Sequence, residues 1–189
     1  MKIIKNNYDN EIIIKNSRFI CYLVRIDSTN VDDILSDIKS MHPKATHYCY
    51  GYIYDDYKKS SDDGEPGGTA GLPILNVLEK EDINHVLAVV VRYFGGIKLG
   101  AGGLVRAYTK SVTETLKTAN YNELIGGYKI SLSFDYQNEK MVNYILNDST
   151  IITKKYDQEI YYEVLVNKDT LDKLKQYNPL ILQETYIEK

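Results

Sequence analysis

The sequence predicts an α+β protein of two domains, on three observations. Strand-like and helix-like segments alternate along all 189 residues. Neither glycine nor arginine occurs after Gly127, so composition changes at the Gly126-Gly127 pair. Beyond that pair the pattern reads strand, helix, strand, strand, helix, strand, the β-α-β-β-α-β order of a ferredoxin-like domain. The expected domains are therefore residues 1–126 and 127–189, joined near Ile125 to Tyr128.

Residues 11–26, EIIIKNSRFICYLVRI, are rich in β-branched and aromatic side chains and predict one or two strands. Val31, Ile34, Leu35, Ile38 and Met41 recur at helical spacing, with Asn30 as N-cap, acidic residues in the first turn and Pro43 as the stop. Residues 46–54, THYCYGYIY, alternate strictly, which puts Tyr48, Tyr50, Tyr52 and Tyr54 on one strand face. That face either stacks nucleic-acid bases or lies under a helix. Residues 55–68 read as an exposed polar loop, and Thr69 as the cap of a helix reaching Lys80. Residues 85–94, HVLAVVVRYF, predict a central strand buried on both faces. A helix over 103–119 follows, burying Leu104, Tyr108, Val112 and Leu116. In the second domain, strands are expected over 128–135, 150–156, 159–166 and 180–186, and helices over 137–147 and 169–177.

A net charge of -3 excludes a wholesale basic coat for nucleic acid but not a local basic patch. No apolar run reaches the ~20 residues of a membrane span, and the start, MKIIKNNYDNE, lacks signal-peptide features. A cytoplasmic protein with no membrane partner is expected. Cys21 and Cys49 sit in strand-like runs without a CxxC pair, as buried reduced thiols do.

Nine of the 12 glycines fall between Gly64 and Gly103. The second cluster, Gly95, Gly96, Gly100, Gly102 and Gly103, lies between a strand and a helix, where backbone N–H groups and the positive helix end converge. No acidic residue occurs from Ile83 to Thr113, while Arg92, Lys98, Arg106 and Lys110 are positive. The combination predicts an anion site, phosphate above all. The other reading is a set of tight turns with solvated cations. Neither GxxxxGK[ST] nor the Rossmann glycine spacing is present. Asp62, Asp63 and Glu65 match no EF-hand spacing, and the expectation is a solvated turn, or one whose Asp62 or Glu65 accepts backbone hydrogen bonds and ties the glycine segments together. No nucleophile stands in a catalytic context: Ser60 and Ser61 lack GxSxG, and Cys49 beside His47 reads as core packing.

The stretches HPKATHYCYGYIY, SSDDGEPGGTAGLPIL and VVVRYFGGIKLGAGGLVRAYTKSV, in this order, resemble the YigZ/IMPACT family. They cover roughly residues 1–125, and the tail resembles the second domain of the bacterial branch. The resemblance implies a first domain similar to domain 2 of a small-subunit ribosomal protein and a tail like a module of translocating elongation factors. The family motif falls on His47, Cys49, Asp62, Asp63, Gly64, Glu65, Pro66, Thr69, Ala70, Gly71, Arg92, Tyr93, Gly95, Gly96, Lys98, Gly100, Gly102, Gly103 and Arg106. Gly67 stands where the family often has serine and Tyr48 where it often has asparagine. The resemblance implies a cytoplasmic regulator connected to translation, with RNA or ribosome-associated translation machinery as suspected partner, and it implies no cofactor; with no catalytic set assembled in the sequence, a non-enzymatic binding protein is the expectation. The expected ligand contacts are Arg92, Gly95, Gly96, Lys98, Gly100, Gly102, Gly103 and Arg106, supported by His47, Asp62, Asp63, Glu65 and Thr69. An enzyme acting on a phosphorylated small molecule and a protein-protein adaptor are the alternatives.

Overall fold

The computed structural model describes Met1–Lys189, and the chain divides into two compact units, Met1–Asn122 and Glu123–Lys189. The first contains β1 (Lys2–Ile4), β2 (Tyr8–Ile14), β3 (Ser17–Arg25), α1 (Asp32–Met41), β4 (His47–Tyr54), β5 (Tyr57–Ser61), α2 (Gly71–Lys80), β6 (Val86–Tyr93) and α3 (Ala101–Leu116). Five of these strands form one antiparallel sheet in the order β2-β3-β6-β4-β5.

The unbroken apolar run explains why β6 is central. Val86, Ala88 and Val90 face a core shared with α2 and α3, while Leu87, Val89 and Val91 face one shared with α1. Along β4 the same alternation sends Cys49 and Ile53 to the first core and the tyrosines to the second. Tyr48, Tyr50, Tyr52 and Tyr54 thus pack with Ile34, Leu35 and Ile38 of α1. The tyrosine face is a helix-covered core surface, which removes it as a base-stacking platform.

Several local expectations change. The loop at 55–68 contains β5, because Asp55 at positive φ turns the chain back and Tyr57–Ser61 pairs with β4. Asn30 and Thr69 are not N-caps: the cap positions are Val31 and Ala70, and Thr69 instead donates to the Pro66 carbonyl at 2.6 Å. α3 begins two residues earlier than expected, at Ala101, since Gly100 supplies the positive φ of 70° at its cap.

The second unit contains most of β7 (Tyr121–Phe134), then α4 (Glu139–Ile145), β8 (Thr150–Tyr156), β9 (Ile160–Val166), α5 (Lys168–Leu174) and β10 (Leu180–Glu188). Its strand order is β10-β7-β9-β8, all pairs antiparallel. Ile130, Leu132, Phe134, Ile160, Tyr162 and Val164 form the sheet side of a core closed by Val142, Leu171 and Leu174. Gly126-Gly127, expected as a linker, lies inside continuous β7, where Gly127 is opposite Thr185 and Ile187 occupies the space its side chain would take. A strand that needs a flat place for a neighbour uses glycine as readily as a hinge does.

Candidate phosphate-binding site

The site lies at the end of β6, on the face covered by α2 and α3. β4 and β6 pair so that His47 is opposite Arg92, and β3 places Phe19 opposite Arg92 on the other side. Arg92 is 5% exposed and its guanidinium bonds the Glu65 carboxylate, itself 8% exposed, at 2.5 Å. The same Glu65 oxygen accepts from the Tyr108 hydroxyl of α3 at 2.8 Å. His47 donates through Nδ1 to the Asp63 carbonyl at 2.8 Å, which leaves Nε2 at 3.9 Å from Glu65. The Cys49 thiol lies 2.9 Å from the Asp62 carbonyl and 3.3 Å from the Tyr108 oxygen. Burial pushes that thiol up to about 12, and it raises the Tyr108 phenol further, so both remain protonated. One carboxylate therefore joins β4, β6, α3 and the acidic turn.

Asp62 organises the first glycine segment. Its carboxylate accepts from the N–H groups of Gly68, Ala70 and Gly71 at 2.8, 3.0 and 2.8 Å. Those of Ala70 and Gly71 are donors at the start of α2, which the helix itself leaves unpaired, and that of Gly68 belongs to the loop before it. Partial burial raises the Asp62 pKa, but the three N–H donors outweigh it and the net shift is downward. Asp63 accepts from the Tyr48 N–H at 2.7 Å. The turn is thus organised by carboxylates that accept from backbone N–H groups, although Asp63 itself is exposed. No three His, Cys, Asp or Glu side chains converge as a metal site requires.

The second glycine segment differs. Gly95 is explained by chain packing: a Cβ there would lie 2.1 Å from the Asn16 carbonyl carbon, and its N–H donates to Ser17 Oγ at 3.1 Å. Gly102 is unlike it. Its added Cβ would meet only the Arg106 guanidinium at 3.5 Å, so folding does not require glycine there. No side chain caps α3 and its first turn has no acidic residue. Lys98, Ala101, Gly102 and Arg106 are exposed around that uncapped start.

The structure thus sorts the predicted residues into two groups. Gly96, Lys98, Gly100, Gly102, Gly103 and Arg106 cluster at the open start of α3. Arg92, expected to flank the ligand, is corrected to a buried partner of Glu65, because a guanidinium excluded from water must be matched by a carboxylate. Gly95 likewise serves the β2–β3 turn. His47, Asp62, Asp63, Glu65 and Thr69 bond within the acidic turn, to Tyr48, Arg92 and Tyr108, and to the start of α2.

The Impact N-terminal domain family matches residues 15–116. YvyE of Bacillus subtilis, described as an IMPACT family member, is 41% identical over 87% of this chain and 79% of its own. The chain belongs to the IMPACT family. YigZ of Escherichia coli, another described member, is 35% identical over 80% of this chain and 78% of its own. A crystal structure described as a hypothetical protein superposes on the whole of this IMPACT chain at a TM-score of 0.72 and 30% identity, covering 97% of that chain.

Two residues of this IMPACT domain escaped the sequence reading. Tyr108 is counted by helical spacing as core, which it is, yet its hydroxyl closes the Glu65 network. Phe94 reads as the last residue of an apolar strand but lies one residue beyond β6 and is 49% exposed. The adjoining Gly95-Gly96 pair is the signal that the strand had already ended.

Proposed function

We propose that this protein is a non-enzymatic cytoplasmic regulator of the translation apparatus that binds RNA phosphates at the start of α3. The observation that carries the reading is the placement of Arg106. Its guanidinium folds over Gly102 at the first turn of a helix with no capping side chain and no acidic residue. A cation at the positive end of a helix is unfavourable by itself, and an anion bound between them reverses the sign of both terms. Lys98 adds a second exposed cation within a stretch from Ile83 to Thr113 that holds no carboxylate. Family membership supports the translation link, since the IMPACT resemblance implies a regulator of that kind. The non-enzymatic reading is supported by the engagement of Glu65, Tyr108, Cys49 and Asp62 with one another and with backbone.

The test is RNA binding by fluorescence anisotropy across a salt series. Lys98→Ala and Arg106→Ala should each weaken binding irrespective of sequence and reduce the log-log salt slope by about one unit, with melting unchanged. Unchanged slopes in both variants, with RNA still bound, would move the RNA to another surface. Turnover of a nucleotide or sugar phosphate, abolished by Gly102→Val, with no RNA bound, would replace the regulator by an enzyme.

A further inference from the structure

Phe94 is a large apolar ring left half in water, on a loop whose other exposed side chains are Ile97 and the cation Lys98. Its position is fixed from three directions. Its N–H donates to Thr46 Oγ1 at 3.1 Å, on the segment entering β4. The next residue, Gly95, presses directly on the Asn16 backbone. Behind the ring stands the Arg92 guanidinium, 5.6 Å from the Phe94 centroid. That guanidinium lies in turn 5.4 Å from the Phe19 centroid and is locked by Glu65. Phe19, Arg92 and Phe94 thus form a column rising from the core to the surface, each layer a flat group. Arg92 lies against one part of the ring, and Phe94 remains 49% exposed on a backbone held at Thr46 and Asn16.

We propose that Phe94 is a stacking platform for an unpaired base, so that the site at the start of α3 takes single-stranded rather than duplex RNA. The inference rests on the phosphate reading above and adds the chemistry of the ligand's base. Aromatic rings beside a cationic groove are how single strands are held without sequence readout, because every base offers a π-face whereas paired bases are hidden in the stack. Lys98 lies four residues along the loop, and the open α3 start follows at Ala101, so the ring and the phosphate donors adjoin in the chain. The fit to RNA rather than to an apolar peptide follows from charge: the segment carrying the ring has cations and no carboxylate.

The experiment compares a 12-nucleotide single-stranded RNA with the duplex formed from it and its complement, by anisotropy at fixed salt, using the full chain. The single strand is expected to bind more tightly. Phe94→Ala and Phe94→Leu should each weaken single-strand binding about tenfold, as loss of one stacked base does. Their salt slope should stay as in the unaltered protein, because no phosphate contact is removed. Phe94→Tyr, which keeps the ring, should bind within about twofold, and its melting temperature and that of Phe94→Leu show that the loop is intact. RNA bound equally as strand and duplex, with Phe94→Ala and Phe94→Leu unaffected, overturns the platform and leaves the phosphate reading in place. Failure of the unaltered protein to bind either RNA overturns both.

Discussion

Replacing Glu65 by alanine should unfold more of this protein than any change at the exposed cations. The substitution leaves the Arg92 guanidinium, 5% exposed, with no counter-charge, and the Tyr108 hydroxyl with no acceptor. Removing one partner of a buried ion pair costs about 3–5 kcal/mol, because the remaining charge is left in a medium that cannot solvate it. The stranded hydroxyl contributes on the order of 1 kcal/mol more, and since both bonds end on one oxygen the two costs overlap. A loss of about 4 kcal/mol corresponds to a fall in Tm of roughly 15 °C for a unit of this size. Glu65→Gln keeps an acceptor for Tyr108 but not the charge, and should lie between alanine and the unaltered protein. The double variant Glu65→Leu, Arg92→Met, which removes both charges, should recover much of the loss. Calorimetric melting at neutral pH with urea titration measures all four proteins. If Glu65→Ala melted within about 4 °C of the unaltered protein, near 1 kcal/mol on the same scale, the pair would not be the buried tie described here.

Asp62 should make stability depend on acid. Its pKa is lower folded than unfolded, so its contribution is complete above the unfolded value of about 3.9 and disappears as pH falls through the folded one. Urea melts from pH 6 to pH 2 should show that loss in the unaltered protein and less of it in Asp62→Asn. Gly95→Ala should be insoluble or lose more than about 3 kcal/mol, since the added carbon meets backbone at 2.1 Å, whereas Gly102→Ala should fold normally. Circular dichroism and yield separate these two outcomes. Cys21 and Cys49, both held near 12 by burial, should resist a thiol reagent at neutral pH until denaturant opens the fold, and mass spectrometry reads the labelling. Residues 1–122 expressed alone should give a cooperative melt, because every buried side chain of the two cores flanking the five-stranded sheet lies within that range.

The long periodic elements were legible because their pattern is also their energetics. The β6 run is apolar on both faces and is covered on both, and the four-residue steps of α3 bury Leu104, Tyr108, Val112 and Leu116 as expected. Short-range signals were weaker. Asn30 and Thr69 have the chemistry of caps, yet other backbone geometry won at each helix start. β5 was hidden because Tyr57–Ser61 is polar on both faces at a sheet edge, where pairing needs only backbone. In the site, the glycine and charge clustering singled out the loop between β6 and α3, but sequence cannot tell a solvated arginine from a buried one. Arg92 is buried because its carboxylate partner is 27 residues away in the chain and adjacent in space. The column beneath Phe94 joins three strand and loop positions that no periodicity connects.

The contrast between Gly95 and Gly102 has an evolutionary consequence. A side-chain clash can be relieved by a second mutation that shortens the opposing side chain. At Gly95, and at Gly71 where an added carbon would lie 2.6 Å from the Ser61 carbonyl carbon, the opposing atoms are main chain, identical whatever residue stands there. No second-site suppressor at Asn16 or Ser61 can restore either contact, so lineages carrying this fold are held at those positions by geometry. Gly102 has no such constraint from the fold. If it drifts freely among descendants, nothing approaches the start of α3; if it is as fixed as Gly95, only something outside the chain can be fixing it.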